Sequence, residues 1–237
     1  MKKNIIITGS SGILGKYLVN QFKKGNNIIS ISKNKETKTG VMNFNCNLSN
    51  DLEVNSTFTL IKKKFKKIDS IILCAGKSKR NYKKIENLNS WKNSFENNFY
   101  SSTNILESYL KIYKYAKTKI IVISSIAGSK ILEGAPITYS VAKSALNFYV
   151  KFKSKELAKH KICINTISPG NILMKGNNWH FNKKNNKKKV MNYIKRNVPL
   201  NNFCKPENIF LLCKFLMDDK NESTTGSDFI IDSGQSL

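Results

Sequence analysis

The stretch "NIIITGSSGILGKY", residues 4–17, places three evenly spaced glycines directly after an apolar run. The isoleucines at 5–7 are β-branched and consecutive, as expected for a strand buried on both faces of a parallel sheet. Gly9, Gly12 and Gly15 follow, and the apolar residues beyond them fall at helical spacing. Such a turn lets a phosphate reach a helix N-terminus, where free N–H groups and the helix dipole favour an anion. A flexible loop before an amphipathic helix is the alternative.

Strand-like and helix-like patterns alternate along the rest of the chain. Strands are predicted at residues 28–31, 41–45, 69–76, 119–125, 162–170 and 228–234, and helices at 51–67, 91–115, 139–160 and 206–217. This alternation is typical of a parallel sheet with helices on both faces. No linker, repeat or composition break divides it. We therefore predict one α/β domain over residues 1–237, with a doubly wound parallel sheet.

Small or polar residues follow most of the predicted strands. Ligands of such sheets bind beyond the carboxyl ends of the strands, so these residues are expected to share one surface. Their smallness lets a ligand lie close to the backbone. The members are Gly9 to Gly15, Ser32-Lys33, Asn47, Cys74-Ala75-Gly76, Ser124-Ser125 and Pro169-Gly170.

The formal net charge of +26 permits binding to nucleic acid or to an anionic membrane. Of the 41 basic residues, however, only Arg80 and Arg196 are arginine. The lysine clusters at 62–67 and 182–189 carry almost no interleaved aromatics, unlike typical nucleic-acid readers. We attribute the lysines to solvated faces and an AT-rich coding sequence, and predict no specific nucleic-acid partner. No apolar run is long enough to span a bilayer, so no membrane partner is expected.

The cysteines and the N-terminus indicate a cytoplasmic protein. Met1-Lys2-Lys3 leads into only three apolar residues, which does not resemble a signal peptide. The cysteines lack metal-site spacing and several lie in apolar segments, so we expect reduced core residues and no metal. They are Cys46, Cys74, Cys163, Cys204 and Cys213.

Tyr139 and Lys143 stand four residues apart in the predicted helix, so their side chains share one face. Ser125 ends the preceding strand. A phenol is a poor acid or base at neutral pH, but a nearby ammonium favours the phenolate. Together the three residues have the chemistry to protonate a carbonyl oxygen while hydride arrives at carbon. Alone, such a pair is usually a half-buried aromatic beside a solvated lysine.

At this point the chain resembles the short-chain dehydrogenase/reductase family, in its short single-domain branch, over essentially its whole length. It is similar to 3-oxoacyl-carrier-protein reductases and to reductases of surface sugars. The resemblance implies a Rossmann-type fold, a nicotinamide cofactor and a homotetramer or homodimer. The matching segments include "TGSSGILG", "IDSIILCAG", "WKNSFENNFYSS", "IIVISSIAG", "YSVAKSALNFYVKFKSKELAKHKICINTISPGNI" and residues 198–237.

The resemblance also implies roles for individual residues. Tyr139 is the acid/base, Lys143 lowers its pKa and holds the nicotinamide ribose, Ser125 orients the carbonyl, and Asn98 supports a water-linked proton path. The implied cofactor-binding residues, besides Tyr139 and Lys143, are Gly9, Ser11, Gly12, Ile13, Leu14, Gly15, Ser32, Lys33, Asn47, Leu48, Cys74, Ala75, Gly76, Pro169, Gly170 and Ile172.

Several positions depart from the family pattern. The glycines read GxxGxxG, as in the longer, epimerase-like branch, rather than the GxxxGxG of the short branch. The chain lacks the length for the longer branch's separate substrate domain, so we interpret the loop as shortened by one residue. Ser124 competes with Ser125 for the carbonyl-orienting role, and we choose Ser125 because it directly precedes "IAG". Asn47 replaces an aspartate that often contacts the adenine amine, although its carbonyl can still accept a hydrogen bond. Met174 replaces a threonine that often holds the nicotinamide amide.

The end of the second strand bears on the choice of nucleotide. Members that bind NAD place a carboxylate there for the ribose 2′-hydroxyl. This chain has Ser32-Lys33-Asn34, with no acid until Glu36. A hydroxyl and an ammonium suit a 2′-phosphate, so we predict NADP(H), with NAD(H) as the alternative.

We therefore predict an NAD(P)-dependent oxidoreductase that interconverts a carbonyl and a secondary alcohol. The alternative is a non-catalytic cofactor-sensing or polyanion-binding protein on the same fold. Residues 171–200 are expected to form a substrate lid, whose lysines attract an anionic or carrier-bound substrate. Within it, Trp179, His180 and Phe181 either line a pocket or belong to a solvated loop.

Overall fold

Seven parallel strands form one sheet in the computed structural model, which describes residues 2–34, 40–78 and 85–237. Glu36 and Arg80 lie outside these ranges. The sheet order is β3-β2-β1-β4-β5-β6-β7. The strands are β1 Asn4–Thr8, β2 Asn27–Ser32, β3 Val41–Asn45, β4 Ser70–Leu73, β5 Lys119–Ile123, β6 Cys163–Pro169 and β7 Asp228–Ile231. Strands β1 to β3 are added toward one edge of the sheet, and β4 to β7 toward the other edge. This change of direction between β1 and β4 opens a crevice at the carboxyl ends of these two strands.

Helices cover both faces of this sheet, as predicted for a doubly wound, Rossmann-type domain. They are α1 Ile13–Phe22, α2 Asp51–Lys64, α3 Leu88–Phe95, α4 Ser101–Tyr113, α5 Ile137–Ala158, α6 Asn178–Asn185, α7 Lys187–Asn197 and α8 Pro206–Leu216. The helix predicted over 91–115 is divided by a π-helical turn, Glu96–Tyr100. The expected lid segment, 171–200, contains two helices, α6 and α7.

The alternation of side chains along β1 explains the two halves of the core. Ile6 faces a cluster with Phe58 and Tyr109 from α2 and α4. Ile5 and Ile7 face the opposite side and pack with α1 and α8. Since successive residues of a strand point to opposite faces, an uninterrupted apolar run is what a sheet covered on both sides requires.

All five cysteines are free thiols, and four of them are buried. Cys74 is partly buried and borders the crevice. Within the described ranges, no cluster of His, Cys, Asp and Glu side chains has a metal-binding arrangement. None of the described helices combines the length and apolarity needed to traverse a bilayer.

Candidate active site

A cavity of about 580 Å³ lies at the carboxyl edge of the sheet, over the crevice between β1 and β4. It is bordered by every residue predicted to bind the cofactor and by Ser125. These are Gly9, Ser11, Gly12, Ile13, Leu14, Gly15, Ser32, Lys33, Asn47, Leu48, Cys74, Ala75, Gly76, Tyr139, Lys143, Pro169, Gly170 and Ile172. Asn98 is fully buried behind this wall.

The turn from β1 to α1 depends on its glycines. Gly9 has φ +63°, and a Cβ there would lie 2.7 Å from the Cα of Ala75. A Cβ on Gly15 would lie 2.2 Å from the Gly9 carbonyl oxygen. Gly12 is the N-cap of α1 and provides no side-chain cap, and the first turn holds no acidic residue. The helix N-terminus therefore faces the cavity with N–H groups suited to a phosphate, so the turn fits a dinucleotide.

The ribose side of the cavity is formed by the end of β2. The buried Ser32 hydroxyl donates a hydrogen bond to the Asn34 carbonyl oxygen at 2.9 Å, so its proton is already used within the chain. Lys33 is exposed at the rim. Of the two groups predicted to bind a 2′-phosphate, the Ser32 hydroxyl and the Lys33 ammonium, only the ammonium still has its donors available.

Asn47 keeps part of the capacity that we expected of it. Its side-chain carbonyl accepts a hydrogen bond from the Ser49 hydroxyl at 3.0 Å, which leaves one lone pair. Its backbone N–H donates to Glu53 Oε2 at 2.8 Å, which fixes the segment before α2.

Lys143 lies in the floor of the cavity and is 2% exposed. Its Nζ donates to the Ile123 carbonyl oxygen at 3.0 Å. Burial lowers the pKa of this ammonium to about 8, since the interior disfavours the charged form. A Cβ on Gly76 would lie 3.2 Å from this Nζ and 3.1 Å from Asn98 Oδ1, so the glycine lets both groups approach the backbone.

Asn98 stands in the π-helical turn and holds the backbone that follows β4. Its Oδ1 accepts from the Lys77 N–H at 2.9 Å, and its Nδ2 donates to the Lys77 and Ser94 carbonyl oxygens at 3.0 and 2.9 Å. Both amide protons are therefore committed. Asn98 can join the predicted water-linked path only as an acceptor.

Tyr139 lies one turn before Lys143 on α5, and both border the cavity, as the spacing predicts. The lowering of the Tyr139 pKa by Lys143 stays a prediction. Burial raises the pKa of this phenol, and a hydrogen bond with the Ser125 hydroxyl partly offsets the rise. The low-dielectric surroundings that strengthen charge interactions also disfavour the phenolate.

The Ser125 hydroxyl directs its one proton at the Tyr139 oxygen, since only in that direction does this hydrogen bond lower the phenol pKa. Its Oγ accepts a hydrogen bond from the Ala127 N–H at 3.2 Å and caps the short turn Ile126–Gly128. Ser124 borders the same cavity, and its buried hydroxyl has no partner among the described residues. A second cavity adjoins the first, and it is bordered by Ser125 and Tyr139 but not by Ser124.

This second cavity, which we call the cleft, has a volume of about 310 Å³. It joins the larger cavity through Ser125, Tyr139, Gly170 and Ile172. Of the predicted lid residues, Trp179 borders the cleft, whereas His180 and Phe181 do not. Met174 borders a different cavity, beside α1 and α8.

Several polar residues of the cleft were not singled out from the sequence, among them Asn171, Tyr193 and Gln235. Asn171 follows Pro169-Gly170 and had a positional signal at that strand end. Tyr193 lies within the predicted lid segment, 171–200, whereas Gln235 had no signal, since folding brings it to the cleft from a distant part of the chain.

The fold and this pairing of Tyr139 with a glycine turn define a dinucleotide-binding oxidoreductase. A family model described as enoyl-(acyl carrier protein) reductase matches residues 18–236. The chain belongs to this family, which lies within the short-chain dehydrogenases/reductases. It is therefore an NAD(P)-dependent enzyme of that class, and the non-catalytic alternative finds no support.

Named relatives extend this result over the whole chain. The 3-oxoacyl-[acyl-carrier-protein] reductase FabG of Buchnera aphidicola subsp. Acyrthosiphon pisum is 27% identical, with 98% of this chain and 97% of that protein covered. A short-chain dehydrogenase from Leptospira borgpetersenii with bound NAD+ superposes with a TM-score of 0.89 at 20% identity, covering 100% and 94%. L-sorbose reductase from Gluconobacter frateurii, complexed with NADPH and L-sorbose, gives 0.86 at 22%, covering 99% and 96%. These two structures support the fold.

Proposed function

We propose that this protein reduces a carbonyl group to a secondary alcohol with NADPH. The observation that carries the proposal is the position of Tyr139 and Ser125 at the junction of the two cavities. A ligand in the cleft meets both hydroxyls beside the cavity that fits a dinucleotide. The nicotinamide, when bound, supplies a hydride to the carbonyl carbon.

The chain's own residues manage the oxygen. On binding of a carbonyl, the Ser125 hydroxyl turns its proton from Tyr139 to the carbonyl oxygen and fixes the orientation of that oxygen. Tyr139 then gives its proton to that oxygen as negative charge develops on it. A phenol whose pKa is raised by burial is protonated at neutral pH, which is the state that a general acid needs.

Lys143 supplies positive charge below Tyr139. An ammonium has three donors, of which the Ile123 carbonyl oxygen takes one. We propose that the remaining donors hold the nicotinamide ribose, since Lys143 stands in the cavity floor. Its positive charge also stabilises the negative charge that develops on the substrate oxygen.

The preference for NADP(H) over NAD(H) is part of the proposal. Lys33 is the cationic group at the end of β2 and faces the cavity rim, where a ribose 2′-phosphate would be placed. Ser32 contributes less to binding of a 2′-phosphate than its sequence position predicts, because its hydroxyl proton is donated to the Asn34 carbonyl oxygen. Named neighbours bind NAD+ in one case and NADPH in the other.

Tyr139→Phe tests the catalytic role, because it removes one oxygen and retains the ring. We expect turnover of any carbonyl substrate to fall by about 10²-fold or more. The affinity for NADPH should stay within about threefold of the native value. Nucleotide oxidation and a fluorescence titration measure the two quantities, and NADH titrated against the same inert variant reports the nucleotide preference.

Tyr149→Phe is the matched control. Tyr149 lies on the same helix, but its hydroxyl donates to Glu107 away from the cavity. Turnover retained in Tyr139→Phe, or lost equally in both variants, would remove Tyr139 from the mechanism. NADH bound more tightly than NADPH would overturn the nucleotide proposal.

The partners remain proposals as well. We propose a small carbonyl or alcohol substrate, a cytoplasmic location, a homodimer or homotetramer, and no specific nucleic-acid or membrane partner. The positive surface favours an anionic or carrier-bound substrate, since opposite charge accelerates encounter. The walls of the cleft bear on this choice.

A further inference from the structure

One part of the cleft wall holds a polar cluster of three residues that the mechanism above does not use. Asn171 follows β6, Tyr193 lies on α7, and Gln235 stands near the C-terminus, and all three border the cleft. We call them the Tyr193 cluster. Their side chains meet at the Tyr193 hydroxyl, which accepts from Gln235 Nε2 at 3.1 Å and from Asn171 Nδ2 at 3.2 Å.

A backbone N–H fixes the orientation of the Gln235 amide in this cluster, and the structure places the Asn171 Nδ2, rather than its Oδ1, toward the Tyr193 hydroxyl. The Asn171 N–H donates to Gln235 Oε1 at 3.0 Å, and a backbone N–H can only donate. The carbonyl end of the Gln235 amide therefore faces Asn171, and its NH2 end faces Tyr193. With two donors already directed at it, the Tyr193 oxygen has no acceptor capacity left.

The Tyr193 proton consequently has to go elsewhere. No described residue accepts a hydrogen bond from this hydroxyl, and the residue borders the cleft. The O–H is thus a donor for a ligand, and an oxygen atom of the ligand is its natural partner.

The cluster is held rigidly, as a specificity site requires. The Tyr193 ring packs on Trp179 with ring centroids 4.9 Å apart. The C-terminal turn is fixed by Asp232, whose carboxylate accepts from the Gly234 and Ser236 N–H groups at 2.9 and 2.6 Å. A Cβ on Gly170 would lie 2.9 Å from Gln235 Oε1, so the glycine allows this approach.

The cleft therefore combines an aromatic face, several amides and a hydroxyl donor with the Glu133 carboxylate and with apolar side chains such as Leu132 and Pro136. Trp179 provides the face, and Asn178 and Asn182 add amides at the exposed side. A volume of about 310 Å³ is at the small end for ligand sites. An alkyl chain would leave these polar groups without partners, whereas a ligand rich in hydroxyls would satisfy them.

We propose that the substrate is a small polyhydroxylated carbonyl compound, such as a ketose, and that Tyr193 is a positioning residue for one of its hydroxyls. This inference rests on the proposed carbonyl reduction and names its substrate class. It disfavours the acyl thioesters that are the other substrate type suggested by the named relatives.

A matched pair of substrates tests the proposal. Erythrulose and 2-butanone share a four-carbon skeleton and a ketone, but only erythrulose carries hydroxyls; acetoacetyl-N-acetylcysteamine represents the thioesters. With NADPH, we expect kcat/KM to be at least about tenfold higher for erythrulose than for either competitor, as one or more hydrogen bonds would give.

Tyr193→Phe removes only the donor and retains the ring. We expect it to raise KM for erythrulose about three- to tenfold, with kcat within about twofold and 2-butanone kinetics unchanged. Gln235→Met, which frees the Tyr193 oxygen to turn, should show the same split. Tyr149→Phe is the control and should change neither substrate.

The outcomes separate the two proposals. If the thioester or 2-butanone is reduced as well as erythrulose, or if Tyr193→Phe affects both ketones equally, the substrate class is wrong while carbonyl reduction stands. If none of the three is reduced with either nucleotide, the proposed function fails and this inference fails with it.

Discussion

Burial at single residues determines the protonation states in the candidate active site. Tyr139 and Lys143 share one face of α5 in the same low-dielectric environment, which disfavours charge on both. The phenol is therefore kept protonated, and the ammonium is weakened toward a pKa of about 8. A bound ligand that brings negative charge near Lys143 would raise that pKa again.

The buried ammonium of Lys143 has a consequence for stability. The ordinary lysine pKa is 10.5, and in the folded protein burial lowers it to about 8. Between these values the unfolded chain binds the extra proton, so stability rises with pH in this window. The full cost, ~3 kcal/mol, is present below about pH 8 and disappears above about 10.5.

Lys143→Met should remove this cost. Relative to the native protein, we expect the variant to gain free energy of unfolding near pH 7, with the gain shrinking by ~3 kcal/mol as the pH rises to 10.5. Urea denaturation at the two pH values measures the change. Lys151→Met, at an exposed position of the same helix, should show no such trend. A pH-independent difference for Lys143→Met would contradict the burial effect.

At the scale of elements, different glycines of the β1–α1 turn serve folding and ligand binding. Gly15 packs against the backbone of the turn, because a Cβ at this position would collide with the Gly9 carbonyl oxygen. Gly12 touches the cavity, and its Cβ would meet only that same oxygen at 3.2 Å, with an ordinary φ of −73°. The GxxGxxG turn therefore has one glycine that the fold requires and one that faces the cavity.

Two alanine substitutions test that separation. Gly15→Ala should destabilise the fold by about 1–3 kcal/mol through overpacking. Gly12→Ala should cost less than about 1 kcal/mol but weaken NADPH binding about tenfold, because its methyl stands where a phosphate approaches the helix N-terminus. Thermal melts and nucleotide titration measure both. Equal losses of stability in the two variants would contradict the assignment.

The expected lid illustrates what helices add to a sequence interpretation. Residues 171–200 are expected to form a substrate lid, and the structure shows two helices there, with Trp179 packed on Tyr193. Its motion stays a prediction. The aromatic anchor is the part that reaches the cleft.

At the scale of the molecule, α5 presents apolar side chains to solvent. Phe148 and Phe152 are 72% and 68% exposed and lie one turn apart. We expect these two side chains to contribute to the interface of the proposed homo-oligomer.

Replacing both residues, Phe148→Ser with Phe152→Ser, should therefore shift the protein toward a monomer. Sedimentation equilibrium measures the change, and Leu52→Ser with Leu60→Ser, two exposed apolar positions on α2, is the control. A native protein that is already monomeric, or an equal shift in the control, would exclude this surface as the interface.

The local features of this protein follow from sequence patterns because they depend on neighbours in the chain. The isoleucine run predicted a strand covered on both sides, the glycines a phosphate-binding turn, and the Tyr139–Lys143 spacing a shared helix face. Each follows from backbone geometry over a few residues.

Other properties came from tertiary structure alone. Tyr193 and Gln235 meet at one hydroxyl although 42 residues separate them. Burial raises the Tyr139 pKa, whereas a lowered pKa is expected from the sequence. The Asn98 amide donates its protons to the backbone carbonyl oxygens of Lys77 and Ser94. Burial and hydrogen-bond partners are set by segments that only folding brings together, so sequence spacing identified the reacting groups, whereas packing determined their protonation and the shape of the cleft.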